Sequence, residues 1–362
     1  MKKHVYFIIH CAHLRLSALL LILLIGFKSY SQDCDTLSCS CSEGDINPSG
    51  IMIGHSHPKG TWMFSYRYMN MMMKDNLSGT EKVSDDIVFQ NYIMSPQNMN
   101  MDMHMLMVMY GVTNRFSLML MCNYNVLSMN MNMLPGTMQM NMNGMTMSDM
   151  NATSMKTKTS GFGDTRLYAM YSLINKQKHK LILSAGLNIP TGSIEIKGKD
   201  NDMYANQRLP YMMQLGSGTF DIMPGVTYLF SKKSFLFGSQ VTGTFRPGYN
   251  SVGYAYGNDV TVNAWLGYRF LPWLSISARG EAYAADRIYG RDTKLFTIIE
   301  PDAKPKNYGG KKVSAYGGLN IYLKKIANSK LSFEYGLPIY QNLNGPQLAT
   351  HYMLYAGWSV SF

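Results

Sequence analysis

An all-β fold, a transmembrane up-and-down antiparallel β-barrel of about twelve strands behind a cleaved leader, is what this sequence predicts. Three observations carry the prediction. From Thr61 to the C-terminus apolar residues recur with a period of two, broken by Gly, Pro, Asn and Lys. Only 15% of the 362 residues are charged, against about 25% in soluble globular proteins. The connections between the strand-like runs alternate between short and long, as they do where a barrel has one turn side and one loop side.

The chain begins Met1-Lys2-Lys3, continues into an apolar run from Ala18 to Phe27, and passes through Lys28-Ser29-Tyr30-Ser31-Gln32. A basic start, a short apolar stretch and small residues describe an export signal over 1–31. Residues 32–60 are then expected as a periplasmic Cys/His segment, and residues 61–362 as the barrel. Beyond the leader no apolar run reaches the 18 residues that a spanning helix needs. A membrane can therefore be crossed only by strands.

The twelve strand-like runs are 61–73, 99–110, 115–126, 162–173, 180–190, 219–230, 234–245, 258–270, 273–284, 312–324, 330–339 and 350–362. Each approaches the length of a tilted membrane strand. The last places Tyr352, Leu354, Ala356, Trp358, Val360 and Phe362 on one face and His351, Met353, Tyr355, Gly357, Ser359 and Ser361 on the other. An apolar outside and a more polar inside are what lipid and a lumen require. The terminal Phe362 resembles the aromatic signal read by the barrel-assembly machinery, which makes that machinery and outer-membrane lipid the expected partners and a Gram-negative outer membrane the expected location. The net charge of +11 is scattered over turns and single strand positions and forms no stripe for nucleic acid.

Three motifs then carry a family resemblance: Gly161-Phe162-Gly163-Asp164, the run from Gly186 through Asn188, Pro190 and Thr191 to Ser193, and the run from Gly216 through Thr219, Asp221 and Pro224 to Tyr228. They resemble the barrel proteins of the MetA pathway of phenol degradation, over about residue 60 to the end and most strongly over 161–230. The resemblance implies an outer-membrane barrel and passage of small molecules, and brings no catalytic residues with it.

Methionine is the excess that a barrel does not explain. The chain has 32, of which 25 fall between Met52 and Met155. On the first strand Arg67 would be costly against lipid, so its face is the lumen, together with Met63, Met69 and Met71. By the same alternation Met119 and Met121, Asp164 with Arg166, and Met353 face inward. The run 99–110 is ambiguous. Leu106, Val108 and Tyr110 suit lipid and would turn Met99, Met101, Met103, Met105, Met107 and Met109 inward, whereas Asp102 and His104 argue the reverse; the reading adopted places the methionines inside. An outer loop over 127–160 continues the pattern with Met129, Met131, Met133, Met138, Met140 and Met142.

Thioether sulfur is a soft ligand suited to Cu(I) and Ag(I). Cys34, Cys39 and Cys41, followed by His55 and His57, add a mixed sulfur and nitrogen set near the mature N-terminus. These residues predict a transporter that binds or passes copper or silver ions, handed to or from a periplasmic metal carrier, with no resident cofactor. The alternatives are a diffusion barrel for small aromatic or hydrophobic molecules with methionine as its apolar lining, and a metal-binding surface protein that conducts nothing. No nucleophile, base and acid fall into an enzymatic pattern, so no catalytic residue is expected.

Overall fold

The computed structural model describes residues 46–134, 154–198, 206–323 and 328–362. The expected leader, Cys34, Cys39, Cys41, Met138, Met140 and Met142 lie outside the described residues. Among those described, the strands are β1 (Trp62–Gly79), β2 (Glu81–Val83), β3 (Met94–Gly111), β4 (Phe116–Met133), β5 (Ser154–Phe162), β6 (Thr165–Asn175), β7 (His179–Ile189) and β8 (Asp221–Lys232). They continue as β9 (Phe235–Thr244), β10 (Tyr254–Ala255), β11 (Asp259–Leu271), β12 (Leu274–Ala285), β13 (Tyr289–Gly290), β14 (Gly310–Leu323) and β15 (Ser329–Ser361). No helix among the described residues is long and apolar enough to cross a membrane.

The main sheet runs β15-β14-β12-β11-β9-β8-β7-β6-β4-β3-β1 and closes on itself where β1 pairs with β15. The segments β5 and β6 both pair with β4 and form one pass interrupted at Gly163-Asp164. Every neighbouring pair is antiparallel, and a ring of antiparallel neighbours closes only on an even number of passes. The element β15 supplies the needed extra one. It is 33 residues long, pairs with β14 through Ser329–Leu343 and with β1 through its second half, and so folds back near Asn344-Gly345-Pro346. Gln341 and Thr350 exchange two 2.9 Å hydrogen bonds across this fold. The barrel therefore has twelve passes, and the expected loop at 340–349 is reduced to a tight hairpin.

The two faces separate as lipid and lumen demand. On β3 Met105, Met107 and Met109 are buried while Leu106 is 62% exposed, so the ambiguous register places methionine inside. On β11 Asn263 and Trp265 are buried and Val260, Val262, Leu266 and Phe270 are exposed. An exposed apolar belt around a closed barrel is stable only against lipid.

Strands β1, β3 and β4 are 18 residues each, where about 9–11 suffice to cross a bilayer. Their extra length stands at the end with the long connections and alters the expected outer loop. Residues 127–133 continue β4, and β5 begins at Ser154. Met129, Met131 and Met133 are therefore strand residues, 0%, 0% and 8% exposed. The physical reason lies in the alternation itself: methionine and asparagine in strict period two form a strand with a dry inner face and a hydrated outer face. Asn130 donates to Asn98 at 2.7 Å on that outer face.

Candidate functional site

The lumen is filled at both ends. At the short-turn end the filling is the chain's own segment 46–58, expected from sequence to stand outside the barrel on the periplasmic side. Its side chains and backbone are bound by inward-facing groups from around the wall. Trp265 Nε1 donates to Asn47 Oδ1 at 3.1 Å, and Asn320 reaches the Asn47 carbonyl. The Gly50 amide donates to the Glu334 carboxylate. Arg67 reaches the Ile51 carbonyl, and the Ile53 carbonyl accepts from Thr227 at 3.0 Å and Gln240 at 3.1 Å. Ser56 bonds Ser172, and the His57 amide donates to Ser117. Ile46, Ile51 and Ile53, each 5% exposed, pack against Met105, Met107, Met109, Met119, Met121, Leu236 and Trp265. A segment bonded to β1, β4, β6, β8, β9, β11, β14 and β15 can lie only within the ring.

The segment goes inside because it carries no charge from Ile46 to Pro58 and has three isoleucines, at 46, 51 and 53. Gly50 is required there, since a Cβ would collide with the Arg279 guanidinium. That guanidinium is the electrostatic centre of the lower lumen. It donates to Glu334, Asn263 and Glu281, each at 2.7 Å, and lies 3.6 Å above the Tyr316 ring. A buried cation so surrounded needs no counterion from the lumen.

At the other end two long connections fold inward. Asp164 accepts from Asn188 at 2.9 Å, the Ser217 amide at 2.8 Å, the Ser217 hydroxyl at 2.7 Å and the Gly192 amide at 3.0 Å. Thr219 donates to Asp221 at 2.6 Å, and Thr191 to the Gly163 carbonyl at 2.9 Å. The three motifs that carry the family resemblance thus converge on one carboxylate, which ties residues 190–198 and 206–220 into the mouth. In this loop Leu209, Met213 and Leu215 pack with Met73, Met94, Met99, Met129 and Met131. Residues 286–309 form the second cover, and burial there holds the Asp302 carboxyl well above the usual carboxylate range, at about 7. Burial likewise raises the phenols of Tyr211 and Tyr308 in these covers, and of Tyr254 and Tyr256 in the connection between β9 and β11.

Between the two fillings the wall is divided. One sector, on β1 and β3, presents Met69, Met71, Met101 and Met103, all half-buried. The other, on β8 to β14, presents Arg246 with Asp221 and Asp259, and borders a cavity of about 210 Å³ lined by Arg246, Asp259, Tyr256, Tyr283, Tyr308 and Lys312 among others.

Of the residues expected to line the lumen, Met63, Met119, Met121 and Asp164 are buried on the inner side. Arg67 lies against the inserted segment, Arg166 is half-buried opposite Met121, and Met353 accepts a hydrogen bond from Tyr316 at 3.3 Å. Of the expected metal ligands, Met99 and Met105 are sealed in the two apolar clusters, while Met101 packs half-buried against the outer cluster and Met103 against the inner one. His55 and His57, with ring centroids 4.9 Å apart, go into the barrel with the inserted segment. No cluster of three His, Cys, Asp or Glu suited to a metal occurs among the described residues. Asn47, Gly50, Ile51 and Ile53 were not legible as lumen residues, although an uncharged run with three isoleucines just before a barrel was the available signal.

The geometry decides the class of protein. The chain is a closed antiparallel β-barrel with the fold of outer-membrane channels. Residues 127–295 match the family described as "Putative MetA-pathway of phenol degradation". Among solved structures the barrel is similar to an outer-membrane channel from Pseudomonas putida F1, with a TM-score of 0.54, 13% identity, and coverage of 85% of this chain and 97% of that one. It is also matched, at TM-score 0.39 and 10% identity over 84% of this chain and 90% of the other, by a FadL homologue of Pseudomonas aeruginosa. The transport unit of the autotransporter AIDA-I from Escherichia coli matches at TM-score 0.44 and 9% identity, covering 86% of this chain and 93% of that one. No curated protein matches this sequence.

Proposed function

We propose that the barrel is a channel for small organic molecules with an aromatic-sized apolar body and a polar group, closed on its periplasmic side by residues 46–58. The observation that carries this reading is the divided wall between the two fillings. Methionines on one side accept an apolar body of variable shape, because the thioether arm is flexible and polarisable. Arg246, Tyr256 and Lys312, which line the cavity beneath the 286–309 cover, supply donors for a hydroxyl or carboxylate. The phenol-degradation description of the matched stretch supports the same solute class. Release to the periplasm requires segment 46–58 to leave its seat.

The test is solute flux into liposomes holding the purified barrel, with phenol and benzoate compared with sugars of similar size. Aromatic solutes should pass faster, and deletion of residues 46–58 should raise both rates. Equal rates for the two solute classes would sink the substrate assignment. Unchanged rates on deletion would sink the gate.

A second reading is favoured by one specific observation, the grouping of half-buried thioethers on β1 and β3. It is the passage of a soft monovalent ion, Cu(I) or Ag(I), through the same space.

A further inference from the structure

The methionines of the wall fall into lateral rows fixed by strand register. Met353 of β15 lies directly opposite Met71 of β1, and Met71 lies directly opposite Met101 of β3. One step toward the periplasm, Met69 lies opposite Met103. One step outward, Met73 lies opposite Met99, which lies opposite Met129.

The rows differ in what they face. Met73, Met99 and Met129 are 3%, 0% and 0% exposed and packed with Leu209, Leu215 and Ile299. That outer row is core. Met71 and Met101 are half-buried at the edge of that outer cluster, Met69 and Met103 are half-buried against the inner one, and Met353 is 9% exposed with its sulfur within 3.3 Å of the Tyr316 hydroxyl. Opposed residues on antiparallel strands have Cα atoms about 4.5–5.5 Å apart with side chains on one face. Three flexible thioether arms on adjacent strands therefore reach a common point in the lumen.

Apolar filling does not account for the choice of residue. On their lipid faces these strands use Phe64, Leu106, Leu118 and Leu120, and the lumen faces of other strands use Ile182, Leu229 and Leu236. Leucine would fill the same space. What methionine adds is a soft, uncharged sulfur donor. The nearby charges do not oppose a cation as a set, because Arg67 and Arg279 are matched by Glu281 and Glu334, both hydrogen-bonded to Arg279.

We infer that Met71, Met101 and Met353 form a three-thioether site for one soft monovalent cation, Cu(I) or Ag(I), with Met69 and Met103 as the adjoining donor pair toward the periplasm. The site rests on the second reading above, and binding involves no change of oxidation state. Hard cations such as Mg²⁺ or Ca²⁺ are not held, because the site offers no oxygen cage.

The experiment uses the full-length barrel with Cys34, Cys39, Cys41 and Cys122 replaced by serine, titrated with silver nitrate in chloride-free buffer and analysed for bound silver. Relative to this parent, the triple variant M71L/M101L/M353L should lose one equivalent of tightly bound Ag(I). A control triple in the sealed outer row, M73L/M99L/M129L, should lose none. Equal silver content in the parent and the first triple overturns the site. If that triple fails to run as a folded, heat-modifiable barrel, methyl-labelled methionine spectra of the parent replace it. Silver-dependent shifts of the Met71, Met101 and Met353 methyl signals uphold the site, and shifts confined to other methionines overturn it. Ag(I) flux into liposomes separates the two claims. Binding at the row without flux upholds the site and removes the passage reading, whereas flux undiminished in a triple that keeps all its silver removes the site alone.

Discussion

Replacing Ile53 by alanine should loosen the inner closure of the barrel by an amount that the structure sets. The side chain is 5% exposed and belongs to the cluster with Trp265 and Met109. Truncation of a buried isoleucine costs about 2–5 kcal/mol, and the lower end suits a segment free to readjust against flexible methionines. The closure itself is nearly balanced. Ordering residues 46–58 costs about 15 kcal/mol at just over 1 kcal/mol per residue. Burial of Ile46, Ile51 and Ile53 returns about 6 kcal/mol. The ten wall hydrogen bonds to Asn47, Ser49, Gly50, Ile51, Ile53, Ser56 and His57 return about 10. A loss of about 2 kcal/mol should then raise the ratio of open to closed barrels roughly 30-fold. Single-channel recording in a planar bilayer reads this as dwell time in a higher-conductance state. Labelling of Ser49→Cys, on a residue 3% exposed in the closed form, by an impermeant maleimide reads it independently. Unchanged dwell times and unchanged labelling in a variant that still folds would refute the idea that segment 46–58 closes the channel by packing.

The outer cover should respond to pH through Asp302. Burial holds its folded-state pKa at about 7, above the ordinary aspartate value of 3.8, so the folded form binds the extra proton; stability of the cover is complete at low pH and is lost as pH rises through the interval between these values. Protease nicking of residues 286–309 should therefore increase from pH 5 to pH 8, and Asp302→Asn should flatten the profile; a profile unchanged by the substitution would dismiss the assignment. The assignment of faces on β3 predicts a second contrast: Leu106→Arg, placing charge where the residue is 62% exposed to lipid, should cost about 2–4 kcal/mol near the midplane and less toward the interface, measured by denaturant-induced unfolding in bilayers.

How much of this molecule could be read beforehand depended on how local the cause was. The lumen positions of Met63, Met119 and Met121 follow from alternation within one strand, and a one-residue slip would have turned each toward lipid. The ambiguity at 99–110 arose because Asp102 and His104 sit on the outer face, where alternation alone counts them as errors. They are tolerated there because Tyr68 donates to Asp102 at 2.5 Å, Asn70 donates to it at 2.7 Å, and the Tyr66 hydroxyl pairs with His104 at 2.7 Å. Those partners lie on β1 and are visible only once the register is known. The inserted segment was beyond the same reasoning for a stronger reason: Asn47 meets Trp265 and Asn320, more than two hundred residues away in sequence.

The methionine and asparagine alternation ties these levels together. One strand pattern serves two solvents above the membrane, with asparagine meeting water outside and methionine meeting protein or lumen inside. Hydration explains the asparagine completely, since Asn98, Asn130 and Asn132 lie on the outer face with hydrogen-bonding partners. Packing explains Met99, Met129 and Met131, which are sealed. Packing accounts for only part of Met69, Met71, Met101 and Met103, which rest half-buried at the edges of the two apolar clusters, where leucine would pack as well. A methionine requirement at these four positions, distinct from the mere need for an apolar residue, is therefore the point on which organic passage and soft-ion passage part: leucine should preserve the first and abolish the second.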